Sequence, residues 1–296
     1  MKNKGFVALM IMLITIIYTM ITNYSLKEIN KNEIDTSKFI DVVDEVSENK
    51  VQINWKYVAA ITGVMEKNNF KDITIKEIKE VSKQFLKKKN GKYELKSVDK
   101  ILEELNFNNK QKNLTYEYIN QLKDFGLMPQ RLNSNSNYMK FINSIKDDAI
   151  KNYKKYKVLP SITIAQGILE SGWGKSKLAK DYNNLFGIKA DKYWKGDYVV
   201  LETREFKNDT INGKFRKYEK AGDSITDHAK FLAENNRYEK SGVFDANTYI
   251  HQAKALQNGG YSTDSNEKGE KVYAQRLIEI IRQYNLQIID SEVQTN

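Results

Sequence analysis

Lys2 and Lys4 are followed by eighteen residues without a charge, GFVALMIMLITIIYTMIT (5–22). In lipid such a run must satisfy its backbone internally, which makes it a helix. Eighteen residues are just enough to cross a bilayer with modest distortion. The competing reading is a cleaved signal peptide, whose apolar stretch is shorter and ends in a small-x-small site. The NYSLKEI that follows Thr22 offers no such site. Residues 1–24 are therefore read as cytoplasmic lysines plus a transmembrane anchor, with the N-terminus inside by the positive-inside rule. The rest of the chain is then expected outside the cell membrane.

Composition narrows the chemistry available there. The chain has 296 residues, no cysteine, two histidines and a net charge of +10. Disulfides, thiolate metal sites and cysteine nucleophiles are excluded, and a histidine-rich metal centre has too few ligands. Acid–base work falls to carboxylates and tyrosines, with no metal or organic cofactor expected. The positive charge suits anionic surroundings. The lysines are spread along the chain without an arginine run, so nucleic acid is not expected as a partner.

Periodicity divides the remainder. Residues 25–50 are polar with scattered apolar positions and read as a stalk, partly helical. Helical spacing begins at Trp55, with Val58, Ile61 and Met65 on one face. Thr74-Ile75-Lys76-Glu77 has the form of a capping box; Ser97 and Thr115 are candidate caps for two further helices. Residues 51–130 thus read as a small all-α accessory module. Pro129 and RLNSNSN (131–137) mark a linker. A second unit, 138–290, starts with a helix near 138–156, and Pro160 suits the first turn of the next. Residues 197–218 change to period two and read as a hairpin, with Asn212-Gly213 as its turn signal. Val199, Leu201, Thr203 and Glu205 share one strand face. Ser224 is the expected cap of a following helix, and Val272–Tyr284 forms the last strong one.

The chemistry concentrates at SITIAQGILESGWGKSKLA (161–179). Nine uncharged residues lead to one acid, Glu170, and the chain then breaks at Gly172-Trp173-Gly174. Apolar neighbours and the negative end of a helix dipole both raise a carboxyl pKa. An acid kept protonated near neutral pH can give its proton to a leaving oxygen. Alone, an acid at a helix end is usually a solvated surface group. The two glycines leave room beside the backbone for a ligand. Trp173 offers a flat face to a sugar or covers the core.

The blocks LPSITIAQGILESGWGKSKLA, NNLFGIKA (183–190), FRKYEKAGDSITDHAKFL (215–232), GGYSTD (259–264) and YAQRL (273–277) occur in this order. Together they resemble glycoside hydrolase family 73, bacterial endo-β-N-acetylglucosaminidases that cut peptidoglycan, over about 138–284. The resemblance implies a mainly α, lysozyme-like fold: a helical catalytic domain with a small β-hairpin lobe flanking a glycan groove. It places the family's catalytic glutamate on Glu170, a second acid on Glu205 of TRE and the family tyrosine on Tyr261. Asn183, Asn184 and Phe186 match groove-proximal positions, where the asparagines can equally serve as caps or turns. Tyr182 is a further candidate for the groove, and both His228 and His251 read as structural. The hairpin around FKNDTINGK is about three residues shorter than is usual in the family, and SNEKGEK is inserted after GGYSTD. The implied partners are peptidoglycan strands and, through residues 5–22, the membrane. An N-acetylmuramidase, a lytic transglycosylase and a non-catalytic wall-binding scaffold are the alternatives.

Overall fold

The computed structural model describes residues 28–126, 136–206 and 209–295, and side chains outside 203–211. The apolar run 5–22 and most of the 131–137 linker lie outside the described residues. Among the described residues no helix is long and apolar enough to cross a membrane. The fold is mainly helical with two small antiparallel hairpins. By contacts the chain forms two compact units, the smaller built chiefly from Ile53–Lys88 and Leu95–Phe125 with the segment before Val46, the larger chiefly from Gly126–Asn296.

The smaller unit begins with α1 (Thr36–Ser47). Phe39, Ile40, Val42, Val43 and Val46 are buried along it. This corrects the stalk reading over 36–47: Asp41 and Glu45 are exposed on an amphipathic helix whose apolar side is buried. Helix α2 (Trp55–Met65) is buried over most of its surface, although Met65, expected on the core face, is exposed. Helix α3 (Ile75–Gln84) starts at the Thr74–Glu77 capping box. Then the chain departs from an all-α module. Strands β1 (Leu86–Lys89) and β2 (Lys92–Leu95) form a hairpin. Its two turn residues, Asn90 and Gly91, have φ of 50° and 81°, the left-handed pair a two-residue hairpin turn demands and Asn-Gly favours. Lysines on both strands conceal the alternation in sequence. Helix α4 (Val98–Glu104) is capped by Ser97 as expected. Helix α5 (Asn109–Gln121) begins six residues before Thr115, at an Asn108–Gln111 capping box. Thr115 is buried inside the helix and donates its hydroxyl to the Gln111 carbonyl at 2.9 Å.

The larger unit is organised around α7 (Pro160–Ser171), with Pro160 in its first turn. Ile162, Ile164 and Ala165 are wholly buried. Against α7 pack α6 (Asn137–Tyr156), then α11 (Tyr249–Asn258), α12 (Tyr273–Gln283) and α13 (Gln287–Thr295). Between lie α8 (Lys177–Tyr182), a ribbon of β3 (Tyr198–Phe206) and β4 (Asp209–Arg216), α9 (Ala221–Glu234) and the short α10 (Asn236–Lys240). The ribbon turns between Phe206 and Asp209, not at Asn212-Gly213. Those two residues lie inside β4 opposite Glu202 and Leu201, in a register that sets Val199 against Phe215. A turn at Asn212-Gly213 would remove that apolar cross-strand pair. Ser224 is likewise not a cap. It is buried within α9, and its hydroxyl accepts the Leu185 amide at 3.1 Å.

Candidate active site

Helix α7 delivers Glu170 one residue before its end. Gly172 closes the helix in the left-handed conformation, φ 55°. Gly174 also has positive φ, and a Cβ there would lie 2.8 Å from the Phe141 ring. The space expected beside this glycine for a ligand is filled by Phe141. Trp173 belongs to the same packing: its ring meets Tyr138, Tyr284 and Phe141 edge-on at centroid distances of 4.5, 4.9 and 6.1 Å. It covers core, and it lies outside the cleft described next.

Beside Glu170 opens a cleft of about 640 Å³ lined by residues of α7, the Phe186–Lys189 loop, the end of β4, α10, the Tyr261–Asp264 loop and the start of α12. That volume falls within the roughly 300–1,000 Å³ typical of ligand clefts. The Tyr273 hydroxyl donates to Glu170 Oε1 at 3.0 Å and accepts from Gln166 Nε2 at 2.9 Å. Gln166 is one helical turn before Glu170, so both face α12. The Glu170 carboxyl is raised above the usual carboxylate range, first by desolvation; the Tyr273 hydrogen bond opposes this and the nearby Asp264 charge adds to it. Glu170 itself meets solvent on the cleft side, which moderates the shift without reversing it.

Tyr261 lines the same cleft, its ring stacked on Tyr273 at 5.2 Å. Its hydroxyl lies 3.1 Å from His228 Nε2. His228 is wholly buried, stacked on Phe186 at 3.9 Å, and burial drives its pKa down to about 3, so the ring is neutral. Nδ1 has no partner. A buried orphan N–H is rarer and costlier than an orphan acceptor, which puts the proton on Nε2, donated to Tyr261. Burial, followed by the Glu170 charge, raises the Tyr261 pKa well above its ordinary value, so it stays protonated.

The structure thus brings Glu170, Tyr261 and Phe186 to one cleft and leaves four other candidates out. Asn183 caps α8 with φ 55°, and its amide donates to the Tyr218 and Glu219 carbonyls. Asn184 is buried; its amide donates to the Ile188 and Arg216 carbonyls and its oxygen accepts the Ile188 amide. Both asparagines shape the loop instead of offering amides to a sugar. Tyr182 and Trp173 are absent from the cleft lining. Glu205 lies in β3, where the pairing register shifts between Arg204 and Phe206; its side chain is outside the described ones. Sequence reasoning passed over Tyr273 and Gln166. Gln166 carried a signal, a lone amide in an apolar helix four residues before the acid. Among the described residues no group of three or more acidic or histidine side chains could hold a metal ion.

A protonatable carboxyl at the mouth of a cleft, with tyrosine hydroxyls around it, is the equipment of acid-catalysed glycoside cleavage. The sequence comparisons agree in class. Residues 146–286 match the family model "Glucosaminidase: Mannosyl-glycoprotein endo-beta-N-acetylglucosaminidase". Exo-glucosaminidase LytG of Bacillus subtilis is 43% identical over 156 residues, 51% of this chain and 52% of LytG. Peptidoglycan hydrolase FlgJ of Vibrio parahaemolyticus is 36% identical, over 47% of this chain and 45% of FlgJ. The chain therefore spans about half the length of these curated relatives. The crystal structure of the catalytic domain of the autolysin Auto from Listeria monocytogenes is 33% identical, covers 62% of this chain and 98% of that domain, and superposes with a TM-score of 0.46. Through residues 146–286 the chain belongs to the glucosaminidase family, glycoside hydrolase family 73.

Proposed function

We propose that the chain is a peptidoglycan hydrolase that cleaves the β-1,4 bond after N-acetylglucosamine within glycan strands. The observation that carries this reading is the Glu170 carboxyl, raised in pKa, hydrogen-bonded to Tyr273 and open to the cleft. Glu170 protonates the leaving oxygen as the glycosidic bond breaks. Glu205 of the ribbon directs water or steadies the oxocarbenium-like transition state, and Tyr261 donates a hydrogen bond toward the sugar. The helical body with a ribbon ending at the cleft supports a lysozyme-like architecture. Residues 5–22 hold the protein in the membrane with the catalytic unit outside the cytoplasm.

Digestion of purified peptidoglycan by the full chain tests the reading. New reducing ends should be N-acetylglucosamine; N-acetylmuramic acid or its anhydro form would establish a muramidase or transglycosylase instead. Internal cleavage should yield mixed-length fragments, whereas exo action would release short units from one end. Glu170→Gln should lower wall hydrolysis by a factor on the order of 10²–10⁴, the usual contribution of a positioned acid, with the helical circular dichroism retained. A folded Glu170→Gln protein with near-normal activity would remove Glu170 from the mechanism.

A further inference from the structure

Three arginines line the cleft: Arg216, Arg237 and Arg276. Two are neutralised. Arg216 Nη1 lies 2.8 Å from Asp227, with Asp191 at 3.8 Å from Nη2, and Arg276 Nη1 lies 2.7 Å from Asp264. Arg237 has no carboxylate within ion-pair distance among the described residues; its partners are of another kind. Nη2 donates to the Tyr238 hydroxyl at 2.6 Å, and the guanidinium carbon lies 4.6 Å from the centre of the Tyr238 ring. Tyr238 is wholly buried, so an anchored ring fixes the plane of the guanidinium while leaving its charge intact. The Gly260 turn passes the other nitrogen. A Cβ at Gly260 would stand 3.9 Å from Nη1, and with φ 73° the position disfavours any side chain. One edge of a fixed, uncompensated guanidinium is thereby left open beside Tyr261.

An arginine fork matches a carboxylate in two parallel hydrogen bonds. Of the two sugars in the proposed substrate, N-acetylglucosamine is uncharged. The muramoyl sugar carries a lactyl carboxylate, or through it a peptide bearing carboxylates of its own. We propose that Arg237 is an anion subsite that binds a carboxylate of the muramoyl residue and sets the register of the strand across Glu170. The proposal rests on the glycan-hydrolase reading above.

The test uses the full chain and four substrates: glycan strands stripped of peptide by an amidase, peptide-bearing strands, and each of these with its carboxyls converted to neutral methylamides. The wild-type protein should prefer charged strands to their neutral counterparts, and Arg237→Gln should lower kcat/KM on the charged strands by roughly tenfold to a hundredfold, the range for a charge-assisted hydrogen bond. On neutralised strands wild type and Arg237→Gln should be equal, with Arg237→Lys recovering only part of the preference. If the preference shows on stripped strands, the lactyl carboxylate is the ligand; if only on peptide-bearing strands, the peptide supplies it. Equal losses on charged and neutral strands would make Arg237 structural and overturn the subsite, as would no loss on charged strands. A wild-type protein that cuts none of the four would fail earlier, at the hydrolase reading itself.

Discussion

Glu170 is set between two influences. Burial at the end of an apolar helix favours its neutral form, and the Tyr273 hydroxyl favours the charged one. Removing the hydroxyl should therefore raise the Glu170 pKa further. A general acid works only while protonated, so Tyr273→Phe should move the alkaline limb of the kcat/KM–pH profile to higher pH. A profile that keeps its limb while losing amplitude would mean that Tyr273 serves packing alone. The acid was legible in sequence because one charge after nine uncharged residues is conspicuous. Its partner was not, because Tyr273 is 103 residues away and nothing local distinguishes a helix-opening tyrosine that reaches a carboxyl from one that fills the core. The pattern misled at Gly174 for a related reason: a positive φ requirement is readable, but what fills the adjacent space depends on Phe141, whereas the space beside Gly172 is open.

At the scale of elements, α7 is held at both ends by side chains from other helices. At its start the Ser161 amide and hydroxyl donate to the Asp290 carboxyl of α13 at 2.9 and 2.5 Å. Asp290 is wholly buried, and desolvation pushes its pKa up to about 7, against the two Ser161 bonds that lower it. Between the ordinary carboxylate pKa of 3.8 and about 7 the native state holds a proton that the unfolded chain has lost. Stability contributed at this site is thus greatest in acid and declines as pH rises through that window. Asp290→Asn keeps the shape without the titration. Its Tm relative to wild type should become steadily more favourable from pH 5 to pH 8; a constant offset would show that Asp290 keeps its charge in the fold. The ribbon offers a second test. Uninterrupted strand alternation would set Glu205 and Glu202 on opposite faces, and Glu202 is exposed opposite Asn212. Glu205→Gln should impair hydrolysis far more than Glu202→Gln, and the reverse ranking would mean that the register shift after Arg204 hands the second acid's role to Glu202. Strands were harder to read than helices throughout. Capping boxes and Pro160 mark helix starts through neighbouring residues alone, while Asn-Gly marked the true turn in one hairpin, at Asn90-Gly91, and a mid-strand pair in the other. Local chemistry was the same in both, and the cross-strand partners decided.

At the scale of the whole molecule, every residue described as lining the cleft, from Leu169 to Arg276, comes from the larger unit. The blocks that carried the family resemblance lie inside that unit, which is why the catalytic half was legible and the smaller unit was not: its amphipathic first helix shares no motif with a known chemistry. Anchoring and catalysis should then separate cleanly. With the run in place, the mature protein should sediment with membranes and resist extraction by salt and alkaline carbonate, because an eighteen-residue apolar run inserted as proposed is held by burial in lipid and not by charge. Protease added outside wall-stripped cells should reach residues beyond 50. A chain lacking residues 1–27 should be soluble, yet it should cut isolated walls at the rate of the full chain in detergent, since the cleft retains all its groups. Its net charge, +7 once Lys2, Lys4 and Lys27 are gone from the full chain's +10, should still draw it to anionic walls, an attraction that weakens as salt shortens the screening length. Recovery of a soluble mature chain beginning near residue 25 would show that the run is a cleaved signal. A truncated chain that folds but no longer cuts isolated walls would show instead that the first 27 residues take part in catalysis.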